Sequence, residues 1–286
     1  MNIILGGTGQ VGSVVAQTLL DGGRPVTILT RDPAKAGDWE RKGARVAVVA
    51  IEDTERLRAV FRQGDRAYLI NPAANPASDS AREERRTVQL ILKALEESGL
   101  QNVVVQSTYG AQPGDRLGDL GVLYELEQGC RATGIPTRIL RAAYFMSNWN
   151  FSLETARQEG KVYTLYPPDF RLPMVAPGDL GRAGAQLLSE PDGGVRPVFA
   201  EGPETYSAAD VAVVLTGLLQ RPVEAVEIPE RGWMDWLRGA GFSEKSAESM
   251  AAMTKVTREE AYEKPSEPVR GQTTLREYLS GRVTGR

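Results

Sequence analysis

Short, mainly apolar runs alternate along the first half of the chain with longer stretches whose apolar residues return every three or four positions. The runs fall at 3–5, 26–29, 46–49, 67–70, 103–105 and 137–140, and each is strand-length. The periodic stretches between them predict helices near 11–20, 33–42, 54–61, 81–98 and 120–133. Strands without polar alternation belong to a parallel sheet covered on both faces, and strand–helix alternation with right-handed crossovers winds such a sheet in two directions. Turn signals agree. Gly22-Gly23, Gly43 and Gly99 each close a helix just before the next strand, and Asp53-Thr54 reads as an N-cap. After Arg141 the pattern loosens: Pro167, Pro168, Pro173 and Pro177 break up the segment 163–178. Helices are then expected near 179–189, 207–219, 231–240, 243–255 and 273–279.

The first strand runs straight into Gly6-Gly7-Thr8-Gly9-Gln10-Val11-Gly12, which opens the first helix. In that context the spacing is the dinucleotide fingerprint: one glycine for the tight turn, Gly9 for close approach of a pyrophosphate, Gly12 for helix–sheet packing. The phosphates would rest on the free N–H groups of the helix N-terminus. The fold class that follows is α/β, a Rossmann-type doubly wound parallel sheet with a smaller, mostly helical C-terminal substrate region. Residues 1–150 form the nucleotide domain; residues 151–286 form the second region, interleaved with the first and packed over the C-terminal strand ends.

Cofactor preference is read at the end of the second strand, where an NAD enzyme places an acidic residue against the ribose hydroxyls. Here the sequence is Thr30-Arg31-Asp32-Pro33-Ala34-Lys35. Arg31 can clamp a 2′-phosphate with Lys35 adding charge, while Asp32 suits the cap of the helix begun by Pro33. The expected cofactor is therefore NADP, with NAD the alternative. Glu52-Asp53 would lie by the adenine. Asn71-Pro72 would face the pyrophosphate and nicotinamide ribose, or serve as a local turn.

Composition narrows the chemistry. The formal charge of −3 comes with no basic stripe, so nucleic acid is not an expected partner. No apolar stretch is long enough to span a membrane. A first strand beginning at Asn2 leaves no room for a signal peptide, and the one cysteine, Cys130, suits a reducing compartment; both point to the cytoplasm. The absence of histidine matters most. It removes histidine bases, histidine-containing triads and the usual zinc ligands, so no metal site is expected.

Three stretches together make the chain resemble the NmrA-like group of atypical short-chain dehydrogenase/reductases. They are the glycine turn with Thr30–Lys35, the run from Thr133 through Arg141 to Asn148-Trp149, and Pro177-Gly-Asp179-Leu-Gly-Arg182 with Glu201-Gly-Pro-Glu-Thr-Tyr-Ser207. The resemblance implies that Gly6, Thr8, Gly9, Gln10 and Val11 contact the cofactor phosphates and Arg31 its adenosine end. It also implies that Ser107 and Thr108 lie near the nicotinamide, flanked by Ala143, Tyr144 and Phe145. The group includes quinone reductases, phenylpropanoid reductases and nucleotide-sensing regulators.

One part of the superfamily pattern is broken. The usual Tyr-x-x-x-Lys pair passes a proton as hydride moves. Here Tyr124 is followed four residues on by Gln128, and no lysine occurs between Lys93 and Lys161. Two readings follow. In the first, an oxidoreductase reduces a quinone or aromatic ketone of natural-product type, with Tyr124, Ser107 and Thr108 orienting the carbonyl. In the second, the chain binds NADP without turnover and reports redox state. The aromatics Tyr144, Phe145, Trp149, Tyr163 and Tyr166, with Trp233 and Trp236, read either as walls for a small aromatic substrate or as packing. Cys130 reads as an inert packing residue and Asp179 as a helix cap. Glu125 and Glu127 diverge on their helix, so they do not form an acid/base pair.

Overall fold

The structure, a computed structural model, describes residues 1–190 and 196–285. Six strands of the first half pair in parallel: β1 (Asn2–Ile4), β2 (Val26–Thr30), β3 (Arg45–Val48), β4 (Arg66–Leu69), β5 (Asn102–Thr108) and β6 (Thr137–Ala142). Between them lie α1 (Gly12–Asp21), α2 (Ala36–Arg41), α3 (Thr54–Phe61), α4 (Ser80–Leu95) and α5 (Asp119–Ala132). The expected strands and helices are all present, and Asp53 caps α3 by accepting from the Arg56 N–H at 3.1 Å.

The second half is helical as expected, but it also carries strands that its sequence does not announce. Its elements are β7 (Tyr144–Phe145), α6 (Ser152–Gln158), β8 (Lys161–Thr164), β9 (Leu172–Val175), α7 (Pro177–Ser189), β10 (Val198–Glu201), β11 (Thr205–Tyr206), α8 (Ala208–Leu219), β12 (Glu224–Glu227), α9 (Trp233–Gly239), α10 (Glu244–Arg258), β13 (Val269–Arg270) and α11 (Leu275–Val283). Strands β10 and β13 extend the main sheet, whose order is β3-β2-β1-β4-β5-β6-β10-β13. Two small sheets, β7-β9-β11 and β8-β12, support the cap. Several of these strands lack a clean apolar run: Lys161 stands in β8, Pro173 in β9, and Glu224 and Glu227 in β12.

One face of the sheet is covered by α1 and α7, the other by α3, α4 and α5. Small residues make the first of these packings close. A Cβ on Gly181 would lie 2.6 Å from the Val14 Cβ, and one on Gly184 would lie 2.5 Å from the buried Tyr68 ring. The order in which strands are added reverses between the parallel neighbours β1 and β4, so the crevice outside their C-terminal ends is where a doubly wound sheet binds ligand.

Asp179 differs from its expected role. Helix α7 starts two residues earlier, at Pro177, and its N-cap Ala176 has no side-chain cap bond. The Asp179 carboxylate instead accepts the Thr273 N–H at 2.9 Å and pairs with Arg182, and Gly271 packs so closely against it that any Cβ there would clash. It thereby ties the β13–α11 segment to α7. Replacing Asp179 by Ala strands that buried N–H, so the loss of stability is expected at about 1–3 kcal/mol in denaturant unfolding. Asp21→Ala, on an exposed helix end, should leave the midpoint unmoved.

Candidate cofactor and substrate cleft

The glycine turn joins β1 to α1 at the crevice. Gly6 has φ of +72°, the left-handed region that favours glycine. A Cβ on Gly12 would sit 2.3 Å from the Gly6 carbonyl oxygen, and one on Gly7 2.8 Å from Ile28 Cγ2. Those two glycines are demanded by the fold itself. Gly9 is different. A Cβ there would meet only the Gly6 oxygen, at 3.3 Å, and both Gly9 and Gln10 are exposed. Packing constrains Gly9 less than Gly7 and Gly12, and its exposure leaves room for close approach by an outside group. The α1 N-terminus has no side-chain cap, so its positive end remains open to an anion. Thr8 is half-buried beside it; the Val11 side chain is core, leaving only its backbone for a ligand.

At the end of β2, Asp32 accepts the Ala34 N–H at 3.0 Å and caps a short 3-10 turn at Pro33–Lys35. Arg31 and Lys35 are exposed and form no ion pair among the described residues. Two free cations beside the place of an adenosine ribose suit a 2′-phosphate.

After β4, the Asn71 side chain donates to the Glu84 carbonyl at 3.3 Å, while its Oδ1 is buried with no partner among the described residues. An orphaned acceptor of this kind costs about 1–3 kcal/mol and calls for a donor such as a ribose hydroxyl. Pro72 follows, half-buried. Glu84 accepts the Ala74 N–H at 2.9 Å and meets Asp119 at the start of α5. Burial and then the neighbouring Asp119 charge push the Glu84 carboxyl up to about 8.

The ends of β5 and β6 carry a second buried network. Arg141 donates through Nε and Nη2 to the two oxygens of Glu127, at 2.9 and 2.8 Å. Ser107 donates to the same carboxylate at 2.5 Å, and the third Arg141 nitrogen reaches Glu263 at 3.0 Å. Ser107 is 2% exposed, so its hydroxyl is turned inward and already committed. Thr108 and Tyr124 are half-buried, and their hydroxyls have no hydrogen-bond partner among the described residues. Ala143 is buried, with its N–H on the Ala200 carbonyl.

The aromatic residues divide. Tyr144 lies edge-on to Tyr166 at 6.4 Å, and Tyr166 stacks on Phe170 at 5.5 Å; both tyrosines are half-exposed, with burial raising their pKa values. Trp149 is packing: it is 5% exposed and donates to Met174 Sδ. Trp233 is buried and donates to the Ile228 carbonyl, and Tyr163 pairs with Trp236 on the small β8–β12 sheet. Cys130 is fully buried and its thiol is pushed up to about 12, which fits inert packing.

Two features escape sequence reasoning. Glu84–Asp119 joins two helices with no local spacing between them. Glu127 had a signal: it shares the buried stripe of α5 with Leu126 and Cys130, and Arg141 ends the apolar run Ile139-Leu140. A charge of each sign inside buried elements implies a pair.

With this geometry in view, comparison with known proteins is specific. Residues 2–279 match the NmrA-like family, and the chain belongs to it. It is 24% identical to an NAD(P)H azoreductase of Xenophilus azovorans over 87% of this chain and 85% of that one. It is 29% identical to the (4-alkanoyl-5-oxo-2,5-dihydrofuran-3-yl)methyl phosphate reductase of Streptomyces griseus, over 80% of this chain and 77% of the relative. An NADPH-dependent quinone oxidoreductase from Escherichia coli has the same fold, with TM-score 0.79 at 21% identity over 98% of each chain.

The raised Glu84 pKa fixes the sign of a pH effect. The folded chain keeps a proton that the unfolded chain releases above the ordinary value of 4.5, so this group's stabilisation fades as pH climbs from there toward about 8. Unfolding free energies of the native chain should therefore fall relative to those of Glu84→Gln across that window. Parallel curves would mean that Glu84 is ionised in the folded state.

Proposed function

We propose that this chain reduces a quinone or aromatic ketone with NADPH as hydride donor. Its class is that of an NAD(P)H-dependent oxidoreductase, in keeping with its family and with relatives named as reductases. The observation that carries the reading is the open α1 N-terminus beside an exposed Gly9, with the unpaired Arg31 at the next strand end.

The nicotinamide cofactor, when bound, supplies the hydride. The chain's own residues do the rest. Backbone N–H groups from Gly6 to Gly12 hold the diphosphate, with Thr8 and Gln10 beside it. Arg31 and Lys35 take the 2′-phosphate, and Asn71 Oδ1 accepts from a ribose hydroxyl. Pro72, Ala143 and Tyr144 shape the pocket near the reacting ring. Thr108 and Tyr124 offer free hydroxyls to a carbonyl oxygen gaining charge. Ser107 is a positioning residue, because its proton is held by Glu127. Tyr144 and Tyr166 give the flat wall that an aromatic acceptor needs.

The missing Tyr-Lys pair shapes the substrate choice. No histidine is present, and Gln128 stands where the lysine of the usual pair would follow Tyr124. Such a site suits acceptors that take hydride without prior protonation, as quinones do, with the phenolate product protonated by water or a hydroxyl. No helix of the described residues is long and apolar enough to cross a membrane, and the fully buried single cysteine suits the cytoplasm.

Calorimetric titration with NADPH and NADH, followed by turnover assays against quinones and aromatic ketones, tests this reading. NADPH should bind more tightly than NADH, and Arg31→Ala should remove roughly 10–100-fold of that preference, the worth of one charge-assisted contact. Acceptor-dependent NADPH oxidation supports the reductase. Tight binding without turnover on any acceptor would favour the redox-sensing reading.

A further inference from the structure

Helices α9 and α10, with the turn before them and the segment after them, form a hairpin of residues 230–264 beside the cleft. Its buried residues Trp233, Leu237 and Ala247 belong to none of the three large apolar clusters. The hairpin is fastened to the body by polar contacts at both ends. At the α10 N-terminus, Ser243 N–H donates to the Pro76 carbonyl at 2.8 Å, and Ser246 Oγ lies 2.7 Å from the Ser78 carbonyl and 2.9 Å from Ser80 Oγ. Lys245 pairs with Asp79 there at 3.0 Å. At the other end, Gln112 donates to the Ala261 carbonyl at 3.1 Å, and Glu263 pairs with Arg141 at 3.0 Å.

Between these fastenings α10 lies over the cleft. A Cβ on Gly118 would lie 3.6 to 3.8 Å from Ser249 and Met253 and one on Gly110 3.6 Å from Tyr262, while Thr254 and Thr257 face the Tyr166 hydroxyl. Prolines flank the hairpin on both sides, at Pro229 and at Pro265 and Pro268. Hydrogen bonds and exposed ion pairs exchange with water at small net cost, whereas apolar burial does not. Apart from Trp236 against Tyr163 and Tyr262 against the main core, its attachments are polar, and a unit held mainly in this way is the kind that opens as a body.

We propose that the 230–264 hairpin is a lid over the substrate cleft, and that Glu263 is its latch. Glu263 is a positioning residue: seated, it holds Arg141, which holds Glu127, which fixes Ser107 at the cleft floor. A closed lid would exclude water from the reacting carbonyl. That role rests on the reductase reading; the motion itself does not.

The test is a reversible lock. Ser80 and Ser246 have hydroxyls 2.9 Å apart, so a Ser80→Cys/Ser246→Cys protein can close a disulfide there, and the native Cys130 is too buried to compete. Hydrogen exchange of the native chain should show α9 and α10 exchanging as one block, about tenfold or more faster than α5 and α7. Oxidising the double-cysteine protein should slow that block and cut naphthoquinone turnover by about tenfold, and a thiol reductant should restore both. Glu263→Gln should speed exchange of the block and raise KM for the quinone more than it lowers kcat, with Glu263→Asp closer to native.

A hairpin that exchanges as slowly as α5 and α7, or an oxidised protein that turns over at the reduced rate, overturns the lid. If no acceptor is turned over even by the native chain, the reductase reading fails, and the exchange rates alone decide the lid.

Discussion

The Glu127 carboxylate is fully buried and flanked by apolar side chains of α5, so holding it as an anion requires a cation delivered to it. Arg141 is that cation, and it binds with two nitrogens on two oxygens. Such a pair gives little net stability against an apolar alternative, but removing one partner costs about 3–5 kcal/mol because the other is left charged and unpaired. Its consequence is geometric. The pair fixes α5 to β6, holds Ser107 at the end of β5, and leaves one Arg141 nitrogen facing outward to Glu263. Floor and cap thus share one guanidinium.

The two halves of the cleft are built on different principles. The nucleotide side is a matter of backbone: a turn in which Gly12 and Gly7 are compelled by packing and Gly9 is left bare at the positive end of α1. The substrate side is a matter of side chains. Thr108 and Tyr124 keep free hydroxyls, Tyr144 and Tyr166 supply flat surface, and Ser107 is withdrawn by Glu127. A site without histidine and without a tyrosine–lysine pair has weak acid/base power. On the proposed reading its work is binding and orientation, which is sufficient for acceptors that are already reactive toward hydride.

Legibility in the sequence followed the length scale of the interaction. The strands β1 to β6, the helices between them, the glycine turn and the caps at Asp32 and Asp53 were readable because each depends on neighbours within a few residues. The strands β7 to β13 were not, because several lack a clean apolar run, with Lys161 in β8, Pro173 in β9 and Glu224 and Glu227 in β12, and their partners are far along the chain. Asp179 was misread for the same reason: its acceptor role is spent on Thr273, 94 positions away. The inward turn of Ser107 and the Glu84–Asp119 pair likewise depend on helix–helix and helix–strand packing that spacing does not encode. Trp149 was ambiguous between wall and core until Met174 appeared beneath its ring nitrogen.

The central claim is hydride transfer to an acceptor held in this cleft, and single-turnover kinetics with cofactor deuterated at the transferred position tests it most directly. The account predicts that NADPH bound to the chain is oxidised only when a quinone or aromatic ketone is added, and that deuteration slows that oxidation. Oxidation at the same rate with and without acceptor, or none with any acceptor while NADPH remains tightly bound, would contradict it.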